Sequence, residues 1–160
     1  MKRMPSPHRP RMLAPIRRVP GLDYDVLDDL LGYCLRRAQV AMFLSFHKAT
    51  RGQQITPPRF TALLIVGANA GLSQSTLGSV LGIARSGAMM LADWMVERGL
   101  VERRRRPNDG RAWGLHLTAR GEQLVQRTRR RVVEEDQRRA AVLTARERGE
   151  LLRLLGKLAG

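Results

Sequence analysis

The chain has 160 residues, 43% of them apolar but only 4% aromatic, and a formal net charge of +15. That is enough for one domain whose core is mainly Leu, Val, Ala and Met. No apolar run approaches the ~20 residues that cross a bilayer, the first residues carry no apolar signal core, and a lone cysteine, Cys34, excludes an internal disulfide framework. These features together predict a cytoplasmic protein. The charge is uneven: residues 1–20 hold six basic side chains, no acidic one and five of the eight prolines. An unbalanced positive field favours polyanions, either nucleic acid or an anionic membrane surface. Membrane binding would need an amphipathic helix with exposed aromatics, and none is evident.

In chain order, residues 1–22 read as a disordered basic arm. Asp23 and Asp25 then precede Leu27, Leu30, Leu31, Cys34, Leu35, Ala38, Met42, Leu44, Phe46 and Ala49, a spacing that predicts one helix over about 25–50. Thr56-Pro57-Pro58 starts a second helix with a capping hydroxyl and a proline where a missing N–H costs nothing. It runs through Phe60 and Val66 and stops near Asn69-Ala70-Gly71. Ser73 caps a third helix with Leu77, Val80 and Leu81. Gly82-Ile83 interrupts, and a fourth helix follows over about 84–98. Two short helices joined by a glycine turn form a helix-turn-helix, with Gly78 at the crossing and Ile83, Ala88 and Leu91 facing inward. The outer face of the fourth helix carries Arg85, Ser86, Met89 and Asp93. Arg85, Ser86 and Met89 suit contacts to phosphates and base edges in a major groove.

Gly99 ends that helix, and Leu100 to Arg104 has strand character. Pro107-Asn108-Asp109-Gly110 is turn chemistry, and residues 112–117 alternate as a half-buried strand does. The resulting hairpin carries Arg103, Arg104, Arg105, Arg106 and Arg111. A ribbon with so many guanidinium groups suits a minor groove and its flanking phosphates. Five such cations repel one another unless an anion is near, which points to DNA. Asp109, two residues before Arg111, is placed to hold that guanidinium in one pose before binding. Thr118 caps a long helix reaching about Ala141. Thr144 opens a last helix whose Leu151, Leu152, Leu154, Leu155 and Leu158 need a covering partner. The predicted fold is mainly α with a small β-hairpin wing. Residues 56–117 form a winged helix-turn-helix DNA-binding domain, and 23–55 with 118–160 a helical dimerisation region.

The stretch GLVERRRRPNDGRAWGLHLTARGEQL, residues 99–124, resembles the signature of the MarR family of bacterial transcriptional regulators. The matching positions are Gly99-Leu100-Val101-Glu102-Arg103, Asp109-Gly110-Arg111 and Leu117-Thr118-Ala119-Arg120-Gly121, and the similarity extends over about 25–158. The resemblance implies an obligate homodimer built from the first, fifth and sixth helices and bound to a pseudo-palindromic operator on double-stranded DNA. It implies also that Arg111 enters the minor groove, oriented by Asp109. Residues 31–49 are similar to the branch that senses hydroxycinnamate-type aromatic acids or their coenzyme A thioesters. Candidate effector contacts are Arg36, Arg37, Phe43, His47 and Arg59: cations for a carboxylate or for phosphates, and a ring face for an aromatic group. Each also has an ordinary reading as surface charge, core or exposed helix residue.

Another branch senses peroxide through a first-helix cysteine, but Gly32 falls at that position here. Cys34 is therefore expected to be buried and inert, with a thiol-based redox regulator as an alternative because Arg36 and Arg37 lie close in sequence. No catalytic motif or cofactor-binding loop is present, and His8, His47 and His116 are too dispersed to hold a metal. The chain is expected not to be an enzyme. Its expected role is that of a nucleoid-associated repressor released by a small aromatic effector. The remaining alternative is a non-specific architectural DNA-binding protein, sharing the charge and the wing but needing neither pocket nor palindrome.

Overall fold

Local signals set most of the element boundaries. A computed structural model describes the chain at residues 14–106 and 109–160, and of residues 106 and 109–112 the backbone alone. The expected arm at 1–22 lies outside these residues as far as position 13. Among the described residues, six α-helices and one hairpin follow in the order α1 (Leu31–Ala49), α2 (Pro57–Ala68), α3 (Gln74–Leu81), α4 (Arg85–Glu97), β1 (Val101–Arg106), β2 (Asp109–Leu117), α5 (Ala119–Ala140) and α6 (Ala145–Ala159). Two compact units are distinguished, one ending at Ser45 and the other running Phe46–Gly160.

In the first unit, the single helix expected over 25–50 is interrupted. Asp25–Asp29 forms a 3-10 turn, Leu30 is extended, and α1 begins only at Leu31. Asp25 has φ +47°, and the Asp23 carboxylate accepts a hydrogen bond from its N–H at 2.9 Å. Short acidic side chains offer the backbone such local bonds in place of a helix, which is why these aspartates make a turn and not a cap. Cys34, expected to be buried, is exposed on the chain, and its thiol donates to the Asp28 carbonyl at 3.5 Å. The interrupted turn brings that carbonyl to the first turn of α1.

In the second unit, Pro57 occupies the start of α2, with Thr56 at the N-cap but without the expected side-chain bond. Ser73, Thr118 and Thr144 do cap their helices, accepting from the N–H groups of Thr76, Gly121 and Glu147 respectively. The core joins Phe60, Leu63 and Val66 of α2 to Leu77, Ala92 and Met95, and closes on Leu100, Val101 and Leu115 at the root of the hairpin. Leu124, Val125 and Val132 of α5 pack against this cluster. Two buried polar ties fix α5 further. The Thr128 hydroxyl donates to Gln53 Oε1 at 2.7 Å, and Glu135, its side chain 11% exposed, receives both Lys48 and Arg138.

The hairpin and α5 share one joint. Gly99 has φ +62°. The Thr118 hydroxyl donates to its carbonyl at 2.6 Å, and the Thr118 N–H donates to the Leu100 carbonyl at 3.1 Å. Gly121 lies directly on that peptide, so that a Cβ there would fall 2.0 Å from Leu100 O. Most of the signature in residues 99–121 is thus architectural: it closes the base of the wing onto the next helix.

Candidate nucleic-acid interface

α3 and α4 cross closely because Gly78 has no side chain: a Cβ there would stand 3.0 Å from Ala88 Cβ. Gly82, at φ +63°, turns the chain between them, and its N–H and that of Ile83 close on α3 carbonyls. This geometry presents α4 with Ala88, Ala92 and Met95 buried and Arg85, Ser86 and Met89 exposed. The inward and outward faces follow the helical spacing only in part: Leu91, expected inside, is half-buried, and Ala92, assigned to neither face, is fully buried. Ile83, expected inside, is 38% exposed and lies against Gly87. Met90, assigned to neither face, is 71% exposed. Asp93, expected on the free outer face, accepts a hydrogen bond from Arg103 Nη2 at 2.5 Å.

The hairpin is antiparallel, pairing Val101 with Leu117 and continuing in register to Arg105 opposite Trp113. The register then shifts, so that Arg106 faces Asp109. Leu72 bridges to Leu115 on the other edge of β2, which requires the chain at Gly71 to approach Gly114, where no Cβ would fit. Val101 and Leu115 are buried and anchor the root. Trp113, two residues further out than Leu115, lies beyond the core and is 51% exposed, and Arg105 lies over its ring at 5.5 Å.

The described arginines of the wing are not mutually repelling spare charges. Arg103 is bound to Asp93 and Arg104 to Glu102. Two of the five wing arginines thus meet carboxylates that the chain itself supplies. The side chains of Arg106, Asp109 and Arg111, and with them the expected Asp109–Arg111 pairing, lie outside the described residues.

The candidate effector contacts divide between the units. In the first, Arg36 is exposed and donates to Gln39 at 3.2 Å, Arg37 lies over the Tyr33 ring at 5.7 Å, and Phe43 is half-buried. In the second, His47 is exposed and meets Phe46 edge to face, while Arg59 lies 4.1 Å over the indole of Trp94. Arg98 approaches the same ring at 4.6 Å. Burial, and then the neighbouring Arg98 cation, lowers the pKa of the Arg59 guanidinium from its usual value. Beside this stack lies a cavity of about 600 Å³ walled by Pro58, Ile83, Met90, Leu91 and Trp94, with Arg59, Asp93 and Glu97 as its charged members. The Trp94 indole N–H is buried without a partner among the described residues. The cavity was not anticipated. Trp94 and Arg98 are one turn apart and legible as a pair, whereas Arg59 arrives from another helix.

Known proteins share the fold. Residues 53–112 match the MarR family pattern. A protein described as the transcriptional regulator of the hcr operon in Thauera aromatica is 36% identical over 129 residues, covering 80% of this chain and 78% of that protein. The repressor CouR bound to a 23-mer DNA duplex superposes with a TM-score of 0.82 at 34% identity, over 87% of this chain and 99% of that one. CouR bound to p-coumaroyl-CoA gives 0.78 at 33% identity, over 86% and 97%. With its helix-turn-helix, its arginine-bearing hairpin and the joint that closes it, this chain belongs to the MarR family of winged-helix, DNA-binding transcriptional repressors.

Proposed function

We propose that the chain is a dimeric repressor that places α4 in the major groove and the hairpin in the adjacent minor groove of each operator half-site, and that a small anionic aromatic ligand releases it. The observation that carries this reading is the exposed row Arg85, Ser86 and Met89 on α4, beside a strand bearing Arg103, Arg104 and Arg105 in succession. The positive end of the helix dipole at Arg85 favours phosphate, and a helix in one groove with a ribbon in the next matches the docking such folds use. In this reading residues 56–117 read DNA, and residues 23–55 and 118–160 hold the dimer together, in a cytoplasmic, nucleoid-associated protein. Support for the dimer comes from α6, whose Leu151, Leu152, Leu154, Leu155 and Leu158 are exposed on the chain and form a surface that a second copy would cover.

The effector is an aromatic acid or its coenzyme A thioester. CouR, solved with p-coumaroyl-CoA, supports this class, as does a guanidinium held against an indole at the edge of a cavity. Arg59 and His47 are proposed effector contacts within the second unit, and Arg36, Arg37 and Phe43 within the first. The test is fluorescence anisotropy on the duplex upstream of the chain's own gene, against a scrambled duplex, at about 150 mM salt, where phosphate attraction is partly screened. A preference of about a thousandfold is expected for a specific regulator, and p-coumaroyl-CoA should lower it. Equal binding to both duplexes would identify an architectural protein instead.

A further inference from the structure

Asp93 is an acid in an unfavourable place for a DNA reader. It lies seven residues after Ser86, nearly two full turns along α4 and therefore on the same line of the helix. That line, with Arg85 and Met89 beside it, is the exposed row proposed to enter the groove. A carboxylate facing phosphates opposes binding. Yet this one is bound to Arg103, across ten residues of sequence, by a 2.5 Å contact that links α4 to the third residue of β1. Arg103 pairs across the hairpin with Leu115, one of the buried anchors of the wing root. Further out, Arg104 turns to Glu102 and Arg105 to Trp113, both within the hairpin itself. The Asp93–Arg103 pair ties the wing to the helix beside it.

We propose that Asp93 is a positioning residue for DNA recognition: through Arg103 it fixes the angle between α4 and the wing, so that major-groove and minor-groove contacts are made in phase. The inference rests on the DNA-reading geometry proposed above. Its use of a negative charge is what makes it testable, because two effects of removing that charge have opposite signs. If Asp93 were merely an acid near DNA, Asp93→Asn would strengthen binding to every duplex. As a positioning residue, its loss should leave scrambled DNA bound as well or slightly better while weakening the preferred site.

The experiment selects preferred duplexes from a random-sequence pool at fixed salt with the full chain, with Asp93→Asn, with Arg103→Gln and with the double variant. Base preference is then read position by position. Asp93→Asn should bind the wild-type site about tenfold more weakly, with preferences lost at the outer positions met by the wing and kept at those met by α4. The two single changes should be non-additive, the double variant losing no more than the worse single one. Matching circular dichroism and melting curves check that the variants fold, as a partly exposed ion pair allows. An Asp93→Asn protein selecting the wild-type pattern in full, or binding all duplexes more tightly in equal proportion, would overturn the inference. A wild-type chain that selects no pattern would instead overturn the DNA-reading proposal on which it rests.

Discussion

Gly121→Ala separates helix propensity from packing, because the two predict opposite signs. Gly121 lies in the first turn of α5, and alanine in a helix is favoured over glycine by about 1 kcal/mol. The structure opposes that gain. The added Cβ would sit 2.0 Å from the Leu100 carbonyl oxygen and 3.0 Å from its carbon, both backbone atoms of the wing root. Relief requires α5 to move off that peptide. The movement weakens the Thr118 N–H bond to Leu100, the Thr118 hydroxyl bond to Gly99 and the Gly121 N–H bond to Thr118. At about 1 kcal/mol net for each hydrogen bond, the loss is about 3 kcal/mol, and the balance is a destabilisation of about 2 kcal/mol after the helix gain. Urea unfolding followed by circular dichroism measures it, with both proteins at one concentration so that association cannot mimic stability. A variant as stable as the parent, or more so, would refute the view that Gly121 is required by contact with the wing root.

Three further outcomes follow from single contacts. Thr128→Val keeps the shape but leaves Gln53 Oε1 without its buried donor, so unfolding should shift by about 1–2 kcal/mol. Gly114→Ala puts a Cβ 2.8 Å from the Gly71 backbone; a loss of about 1–3 kcal/mol is expected, with faster amide exchange at Gly71 and Leu115 as their bridge opens. Glu147 has its pKa lowered from the usual 4.5, chiefly by the Thr144 backbone N–H and then by its hydroxyl. Its contribution to the α6 cap is therefore present above the unfolded value and lost as pH falls through the depressed one. Circular dichroism of Glu147→Gln should lose that acid-side step.

Signals carried by adjacent residues were legible in the sequence. Ser73, Thr118 and Thr144 each precede a periodic apolar run, and Gly82 and Gly99 sit where only a left-handed residue closes the turn, so these helix boundaries follow from local chemistry. The faces of α4 were legible in part: spacing separates Ala88 and Met95 from Ser86 and Met89, whereas Arg85 shares a line with buried Ala92 and is exposed because it stands at the helix N-terminus. Competition between two local preferences was not. The leucine spacing before residue 31 favours a helix, and the Asp23–Asp25 bond defeats it. Contacts between elements were least legible. Nothing in the run Arg103 to Arg106 says that the first will reach Asp93 and the second Glu102. Neither does the position of Arg59 foretell that it will share an indole with Arg98.

The joint at Gly99, Leu100, Thr118 and Gly121 closes both ends of the hairpin in one place. A loop whose ends are fixed together tolerates insertion and deletion at its far end, where little backbone is committed to the fold. The reach of this ribbon can therefore be lengthened or shortened beyond the Arg105–Trp113 pair while its base stays the same. A residue gained or lost between the joint and Leu115 would instead turn every side chain of that strand over and empty the core beneath it. On this scaffold the base of the wing is the part that must be inherited whole, whatever the side chains of α4 and the outer ribbon become.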